Sequence, residues 1–438
     1  MSSITIPAAG AAVPTVGIAL DGAGWHPAAW REPSARPDAL FTADYWQQLV
    51  DTAEAAGADY VTFEDALRLQ SAPMLGGAAD ATADAGIDPT IVEGRLDALL
   101  TASWIAPRTR TIGLIPTVTT THTEPFHVAT ALQTLDHVSA GRAGWQLRFS
   151  AESVSADAFG RRAAPQIDVE RVLAGEADAG LTELLDDAHD AAEVARRLWD
   201  SWEDDAIIRD LESGRFLDRD RVHHINFESE RFSVVGPSIV PRSPQGQIVV
   251  TLLAHAAPIY GLAARVADVV FITPENDAPN AGASRGKGTA EIVAEVRAAE
   301  AEADRAAAGL APLRIIADLV VALDTTEELA VDRIARLDDA AGAAFASDAR
   351  IEAGSAAQIA DRIAEWHSAG IDGVRLRPAA LPLDLDLIAA ELLPLLRERG
   401  LAGVAAAGSL RDRFDLGNAV NRHTAARTAS EHAEEAAA

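Results

Sequence analysis

Polar side chains follow several strand-like runs of this 438-residue chain, at places where a reaction could be carried out. Glu64 and Asp65 come directly after one such run, residues 59–63. Two neighbouring carboxylates can serve as a general base or hold the N–H groups of a ring, so Glu64 is a candidate catalytic residue. The alternative is that the two carboxylates cap the segment that follows.

A run of threonines follows the next strand-like run. The stretch "PTVTTTHTEP" supplies hydroxyl groups at Thr117, Thr119, Thr120 and Thr121, and His122 adds an imidazole. A polar, non-helical threonine run directly after a buried strand is an unusual way to build an ordinary loop, which favours a site here. His122 is therefore a second candidate catalytic residue, because imidazole is the commonest acid–base group.

The elements that must position these residues alternate along the chain. Short β-branched runs are separated by long amphipathic helical runs, which predicts a parallel sheet wrapped by helices. About eight strands fit a closed α/β fold of the TIM-like (β/α)8 barrel type. A doubly wound sheet is the alternative, but no G-x-G-x-x-G follows the first strand. The predicted strands are residues 15–20, 59–63, 111–118, 143–149, 247–253, 268–273, 313–323 and 373–378.

The spacing of the strands predicts the domain organisation. A short N-terminal segment, 1–14, precedes a barrel over 15–400. Nearly a hundred residues separate strands four and five, so residues from about 151 to 246 are predicted to form a long insertion after strand 4. The tail, 401–438, is charged and alanine-rich and is expected to be a frayed helix or disordered.

In a barrel, reacting side chains lie at the carboxyl ends of the strands. The stretch "LDHVSAGRAGWQL", residues 135–147, turns from a helix into strand four, so Asp136 and His137 are predicted at the opposite, bottom face. Gln146, Arg148 and Ser150 lie toward the far end of strand four and are better placed for chemistry.

One pair of cations is predicted to hold an anion. Arg148 ends strand four and His255 follows strand five, so the two side chains would be neighbours at the reactive face. A cation is conspicuous in so acidic a chain.

Two other motifs do not predict chemistry of their own. The stretch "GASRGKGT", residues 282–289, lacks the spacing of a P-loop and is either an anion-attracting lid or a surface loop. His223 and His224 are adjacent on a predicted strand and point to opposite faces, so no metal site is predicted.

Composition limits the partners. The formal net charge of −29 disfavours nucleic acid and anionic membrane surfaces. The chain has no cysteine, which excludes disulfides and thiolate chemistry. The first residues do not read as a signal peptide, and no apolar run approaches the roughly 20 residues that span a bilayer. A cytoplasmic protein is expected.

Five stretches, taken in order, resemble one family. "EPFHVA", "LDHVSAGRAGW", "LWDSWEDDA", "GPSIVPRSPQG" and "LAARVADVVF" are similar to segments of the bacterial-luciferase-like flavin-dependent monooxygenases. The branch they resemble includes nitrilotriacetate monooxygenase, pristinamycin synthase and dibenzothiophene sulfone monooxygenase. The resemblance extends over about residues 16–396.

The resemblance implies a TIM-like barrel that binds FMN. The flavin would be reduced by a separate flavin reductase and would react with oxygen to oxygenate a small organic substrate. Asp65 matches an aspartate that contacts the flavin in the family, and Thr119 or Thr120 matches a threonine after strand three. A homo-oligomer, dimer or tetramer, is also expected.

The chain departs from the family where the flavin is usually held. Gln146 and Arg148 stand inside a segment that usually reads "NVVT", and Ala254 and His255 occupy the turn that usually binds the flavin phosphate. Arg148 and His255 could replace that grip, with Ser150 retained. FMN would then bind weakly, and its binding would strengthen as the pH falls through about 6.5, where imidazole gains its charge. Two alternatives stay open: a deazaflavin-dependent oxidoreductase, and a barrel that has lost flavin chemistry and serves as a binding or scaffold protein.

Overall fold

Eight parallel strands close into a barrel in this computed structural model, which describes residues 13–71, 87–173, 176–278, 282–307, 310–405 and 407–427. Each strand pairs with the next along the chain, and β8 pairs with β1, so the predicted (β/α)8 barrel is confirmed. The strands are Thr15–Leu20 (β1), Tyr60–Phe63 (β2), Gly113–Thr119 (β3), Gly144–Arg148 (β4), Val249–Leu253 (β5), Val269–Ile272 (β6), Arg314–Leu323 (β7) and Gly373–Pro378 (β8).

Alternation along the strands separates two apolar regions. Successive side chains of a strand point to opposite faces, so every second residue faces the barrel axis. The outward residues pack under the helices in one large core, and the inward Tyr60, Ile115 and Phe271 form a separate cluster. Gly17 on β1 makes room for this cluster, because a Cβ there would lie 2.1 Å from the ring of Tyr60.

Helices follow the strands and cover the barrel. None of the helices in the described ranges is long and apolar enough to cross a membrane. The longer helices are Ala43–Ala55, Ala98–Ile105, Pro125–Ser139, Ala179–Asp200, Ala257–Val266, Thr289–Glu302, Ala330–Ala341 and Ala356–Ser368; three joined turns follow β8 as Leu383–Leu387, Ile388–Leu392 and Leu393–Glu398.

The long connection between β4 and β5, predicted as an insertion, also contains a helix of the barrel itself. Its helix Ala179–Asp200 packs against Pro125–Ser139 on one side and Ala257–Val266 on the other, and so fills the place of the barrel's fourth helix. Two short helices, Ser153–Phe159 and Val169–Leu173, precede it. Two small hairpins follow it, one from Ile207–Asp210 and Arg215–Leu217, the other from Phe227–Glu228 and Ser233–Val234.

A ninth strand, Arg350–Gly354, lies outside the barrel and was not predicted. It pairs with the upper half of β7, from Leu319 to Leu323, whereas the lower half of β7 pairs with β6. β7 can serve both partners because it is ten residues long. The loop just before the ninth strand places Asp348 beside the barrel mouth, where it meets Arg377.

The C-terminal segment, residues 407–427, differs from the expected frayed or disordered tail. Leu410 and Phe414 are buried against the inward cluster at the bottom of the barrel, with Phe414 5.3 Å from Tyr60 between ring centroids. Arg413 donates to the backbone oxygen of Asp59 at 3.2 Å. The bottom of the barrel is therefore closed by this segment; residues beyond 427 lie outside the described ranges.

Candidate active site

The inward-facing residues become more polar from the bottom of the barrel to its mouth. TIM-barrel interiors are usually filled by bulky branched apolar side chains, so polar layers mark the site. By strand alternation and register, the polar members of the middle layer are Thr62, Thr117, Gln146, Thr251, Asp318 and Arg375. The mouth layer above it contains Asp21, Glu64, Thr119, Arg148 and Arg377, at or just beyond the carboxyl ends of their strands.

Arg375 is fully buried and organises the middle layer. Its Nε and Nη2 donate to the two carboxylate oxygens of Asp318 at 2.7 and 2.5 Å. Its Nη1 donates to Oε1 of Gln146 and lies 3.4 Å from the hydroxyl of Thr62. The guanidinium also stacks 3.8 Å from the ring centroid of Phe271. The buried charge is thus paired and hydrogen-bonded, as a buried ion pair requires.

Arg377 extends the charge network across the mouth. It donates through Nη2 to Asp318 and through Nη1 to Asp348 at 2.6 Å. Asp348 in turn lies 3.4 Å from Nε2 of His255, whose Nδ1 is 2.9 Å from the hydroxyl of Thr273. Burial acts against ionisation of Asp348, but the charges of Arg377 and His255 hold its pKa well below the ordinary value. Both ring nitrogens of His255 are therefore engaged.

Glu64 lies in the mouth, as predicted from its position at the carboxyl end of a strand. Its Oε1 accepts from Nε2 of Gln146 at 3.1 Å and lies 3.6 Å from Nη1 of Arg375. Its other oxygen is 4.0 Å from Arg148. The side chain is 16% exposed, so the carboxylate is held in place yet reachable from the mouth.

Asp21 is a second mouth carboxylate, and sequence reasoning missed it. Leu20 and Phe63 are register partners, so Asp21 and Glu64 occupy the next position of neighbouring strands. Burial raises the pKa of Asp21 and Glu64 adds to the rise, while the charges of Arg95 and Arg148 oppose it. The signal was the one used for Glu64: an acidic residue directly after a strand-like run.

Arg148 spans from β4 toward the end of β2. Its Nη1 donates to the backbone oxygen of Asp65 at 3.0 Å, and its side chain is 31% exposed. His255 instead faces Asp348 on the other side of the mouth. The structure therefore does not bring Arg148 and His255 together around one anion.

The carboxylate of Asp65 is bound to backbone amides. Oδ1 accepts from the N–H of Ala66 at 2.7 Å and Oδ2 accepts from the N–H of Ala98 at 2.9 Å. Burial raises the pKa of Asp65, and these two amides oppose the rise. Asp65 thereby fixes the start of the helix Ala98–Ile105, as the capping alternative predicts.

The threonines and Ser150 join the loops after β3 and β4. Thr119 faces inward and is the register partner of Arg148. Thr120 donates to the backbone oxygen of Arg148 through its N–H at 2.7 Å and its hydroxyl at 3.2 Å. The hydroxyl of Ser150 donates to Glu152 at 2.5 Å. Thr119 thus contributes a hydroxyl to the mouth, while Thr120 and Ser150 hold its rim.

His122 has an unusual setting beside the mouth. Its backbone is left-handed, with φ of 70°, a conformation that costs a non-glycine residue about 1–3 kcal/mol. The side chain is buried, and within the described ranges neither ring nitrogen has a hydrogen-bond partner. The ring stacks on Phe159 of the insertion at 5.5 Å. Burial and then the charge of Arg162 lower the pKa of His122. Such strained, unsatisfied groups concentrate at functional sites.

A row of backbone amides lies after β5. The N–H groups of His255, Ala256 and Ala257 have no hydrogen-bond partner within the described part of the chain, and Ala256 offers no side-chain cap to the helix Ala257–Val266. The open N-terminus of a helix attracts phosphate through these amides and the helix dipole. The sequence does not display this feature, because backbone amides are present whichever side chains occupy the turn.

The remaining motifs lie away from the mouth. Asp136 accepts from the backbone N–H of Gln245 at 3.1 Å and from that side chain at 2.6 Å, at the bottom of the barrel. His137 contacts the backbone oxygen of Pro241. His223 pairs with Glu203 at 2.9 Å, and His224 with the backbone of Gly236.

The glycine-rich stretch after β6 is tied down where it is described, from residue 282 onward. Lys287 pairs with Glu295 at 2.5 Å, and Arg285 donates to the backbone oxygen of Asp277 at 2.9 Å. Lys287 is therefore paired, whereas Arg285 is exposed and donates through Nε alone.

A closed parallel barrel whose polar side chains converge at the carboxyl ends of its strands is the arrangement of TIM-barrel enzymes. Residues 23–373 match the family model for luciferase-like monooxygenases, and the chain belongs to that family. It is therefore an enzyme of the monooxygenase class, as the resemblance implied, and the deazaflavin and scaffold alternatives lose their support.

Two relatives are similar over nearly their whole length. N-acetyl-S-(2-succino)cysteine monooxygenase of Bacillus subtilis (strain 168) is 29% identical, covering 93% of this chain and 98% of that protein. Nitrilotriacetate monooxygenase component A of Aminobacter aminovorans is also 29% identical, covering 91% and 95%. In fold, the chain is similar to a riboflavin lyase solved with modified FMN and riboflavin: TM-score 0.74, 24% identity, covering 94% of this chain and 98% of that one.

The donor set at the mouth fits the flavin that this family uses. The amides at the start of Ala257–Val266 suit a phosphate. Glu64 and Arg148 present an acceptor and a donor together at the mouth, as the polar groups of a flavin ring or of a substrate require. The side chains that usually hold the phosphate are absent from the sequence, but free backbone amides are available at the same turn.

Proposed function

We propose that the chain is the oxygenating component of a two-component monooxygenase. It would use O2 and reduced FMN, supplied by a separate flavin reductase, to oxygenate a small organic substrate. The family match over residues 23–373 carries this proposal. The relative from Aminobacter aminovorans is itself named as one component of a monooxygenase.

Different parts of the barrel mouth would bind different parts of the flavin and the substrate. The helix start at Ala257 would hold the phosphate, and Glu64, Thr119 and Arg148 would orient the ring and the substrate. Reduced flavin, when bound, gives two electrons to O2, so that one oxygen atom enters the substrate and the other leaves as water. The apolar bottom cluster and Phe414 keep water from reaching the site through the barrel.

Two groups are candidates for proton transfer. Glu64 is partly exposed at the mouth, and its hydrogen bond to Gln146 fixes its position. His122 has a lowered pKa, so its imidazole is neutral near pH 7 and can accept a proton from a group that reaches it. Either residue could carry the acid–base step.

The test is a titration of the purified protein with oxidised and reduced FMN in the absence of oxygen, followed by absorbance and fluorescence. Oxygen uptake is then measured with an added flavin reductase and candidate substrates. We expect reduced FMN to bind and oxygen uptake to depend on the protein. Failure of both flavin forms to bind would contradict the proposed function.

The assembly expected for the chain, a homodimer or homotetramer, belongs to the same proposal. Light scattering after size-exclusion chromatography gives the mass of the particle directly. A mass equal to the 46.0 kDa of one chain would contradict this part of the proposal.

A further inference from the structure

Arg148 has an unused hydrogen-bonding edge at the mouth. Its contacts within the described ranges are made by Nη1 alone, to the backbone of Asp65 and toward Glu64. Nε and Nη2 donate to no residue there and are not enclosed. This Nε–Nη2 edge is the side of a guanidinium that pairs with a carboxylate through two parallel hydrogen bonds.

The neighbouring carboxylates are suited to a positive group. Asp21 makes one ion-pair contact, to Arg95 at 3.5 Å, and its side chain is 29% exposed. Glu64 shares its nearest guanidinium, Arg375, with Asp318. Asp21 and Glu64 thus place two negative charges side by side, and a bound cation would relieve their repulsion.

Charges of both signs line the mouth. Asp21 pairs with Arg95, Glu64 lies within 4.0 Å of Arg148 and Arg375, and Asp348 pairs with Arg377. A ligand that carries both signs of charge could therefore be paired at each end in this partly desolvated site.

Arg148 and the free amides of the helix Ala257–Val266 lie on different sides of β4. Nη1 of Arg148 reaches across β3 to the backbone of Asp65, which follows β2, and lies 4.0 Å from Glu64. The amides follow β5, which is the neighbour of β4 on the other side. The guanidinium beside Glu64 is therefore available to an oxyanion other than a phosphate held by those amides.

We propose that the substrate is a small zwitterionic acid, with a carboxylate bound by the Nε–Nη2 edge of Arg148 and a positively charged nitrogen bound by Asp21 and Glu64. This assignment rests on the proposed function for the reaction itself, but not for the binding. It predicts a polar, doubly charged substrate rather than a hydrocarbon.

L-Aspartate and succinate are matched probes, because they differ only by the amino group. Calorimetric titration of the full chain should show aspartate binding about tenfold or more tightly than succinate. Arg148→Gln should weaken both ligands by a similar factor, and Asp21→Asn should abolish the preference for aspartate. Arg161→Gln, which removes an exposed arginine paired with Glu124, is the matched control and should change neither affinity.

Several results would overturn the assignment: succinate binding as tightly as aspartate, unchanged affinities in Arg148→Gln, or no binding of either probe at millimolar concentration. FMN titrations of the same variants separate the two sources of an oxyanion. If Arg148→Gln loses FMN but keeps aspartate, the edge holds the flavin phosphate, and the proposed function still stands. If aspartate binds as expected but neither form of FMN binds, the proposed function fails and the substrate assignment stands.

Discussion

His122 should make stability depend on pH. Its pKa in the folded protein is lowered, chiefly by burial, whereas the unfolded chain keeps the ordinary value of 6.5. The unfolded chain therefore gains the proton first as the pH falls, and the stabilisation present above pH 6.5 is lost below it. We expect the free energy of unfolding to fall between about pH 7.5 and about pH 5.5, and to fall less in His122→Phe.

Urea denaturation at the two pH values measures this difference. His26 and His423 also have lowered pKa values and contribute equally to both proteins, so only the difference between them reports on His122. Phenylalanine keeps the stacking on Phe159. Identical pH dependence in the two proteins would show that the His122 ring is not protonated differently on folding.

Substitution of Asp65 can distinguish two roles for its carboxylate, capping of a helix and binding of a ligand. Because its carboxylate accepts from Ala66 and Ala98, Asp65→Ala should lower the free energy of unfolding by about 1–2 kcal/mol. Asp97→Ala, at the cap of the same helix, is the comparison. Unchanged stability together with lost FMN binding would identify Asp65 as a ligand-binding residue instead.

The positions of single residues could be predicted where the local sequence determines them. They could not be predicted where contact with a residue distant in sequence determines them. Glu64 and Arg148 lie at the mouth because each ends a strand, which the sequence displays. Their roles stay predictions. Asp318 and Arg375 meet only because β7 and β8 pair in one register, and no local pattern gives that pairing. The one indication in the sequence that Asp318 and Arg375 belong to the site was a charged residue within an otherwise apolar strand.

At the scale of elements, the start of the helix Ala257–Val266 can be tested as a phosphate site. Ala257→Asp adds a negative charge to the first turn, which favours the helix but repels a phosphate. We expect FMN affinity to fall about tenfold or more, with unchanged or slightly higher thermal stability. Riboflavin, which lacks the phosphate, is the control ligand. Equal losses of FMN and riboflavin would place the phosphate elsewhere.

The charged middle layer is a second element-scale feature. Asp318 accepts from both Arg375 and Arg377, so Asp318→Ala leaves two buried guanidinium groups without their shared partner. We expect a loss of about 3–5 kcal/mol in the free energy of unfolding. Adding Arg375→Met and Arg377→Met should recover much of it. If the single substitution costs less than about 1 kcal/mol, the three charges are not coupled as the structure places them.

The elements themselves were largely visible in the sequence. The eight barrel strands agree with the predicted runs within a residue or two at each end, because buried parallel strands form apolar, β-branched runs. The outer strand Arg350–Gly354 was missed because it is only partly buried and lacks such a run. The helix Ala179–Asp200 was assigned to the insertion because the long gap between strands four and five does not show which of its helices belongs to the barrel.

For the whole molecule, the C-terminal segment determines how the bottom of the barrel is closed. Phe414 is 2% exposed and packs on Tyr60, so Phe414→Ala should cost about 3–5 kcal/mol by leaving a cavity in the inward cluster. Phe216→Ala, at a side chain 62% exposed on the insertion hairpin, is the matched control and should cost little. Similar midpoints of denaturation for the two variants would contradict this role.

The overall fold was predictable, but this closure was not. The number of strands predicts the barrel, because eight βα units commonly form a closed (β/α)8 barrel. Leu410, Phe414 and Leu416 are three apolar residues among charged ones, and too few to give a periodic pattern. They are buried because the bottom of the barrel offers an opening that fits them, and that opening exists only after the strands have closed.

The ion pairs inside the barrel also bear on how the molecule responds to heat. Hydration of charged groups carries a strongly negative entropy, so the cost of taking Asp318, Arg375 and Arg377 out of water falls as temperature rises. Stabilisation by buried hydrocarbon levels off as the temperature rises, so an apolar interior gains no comparable benefit at high temperature. The free energy of unfolding of an apolar triple variant should therefore compare best with that of the natural protein at moderate temperature and fall behind it on heating. The polar interior would make this barrel relatively better suited to high temperature than to low.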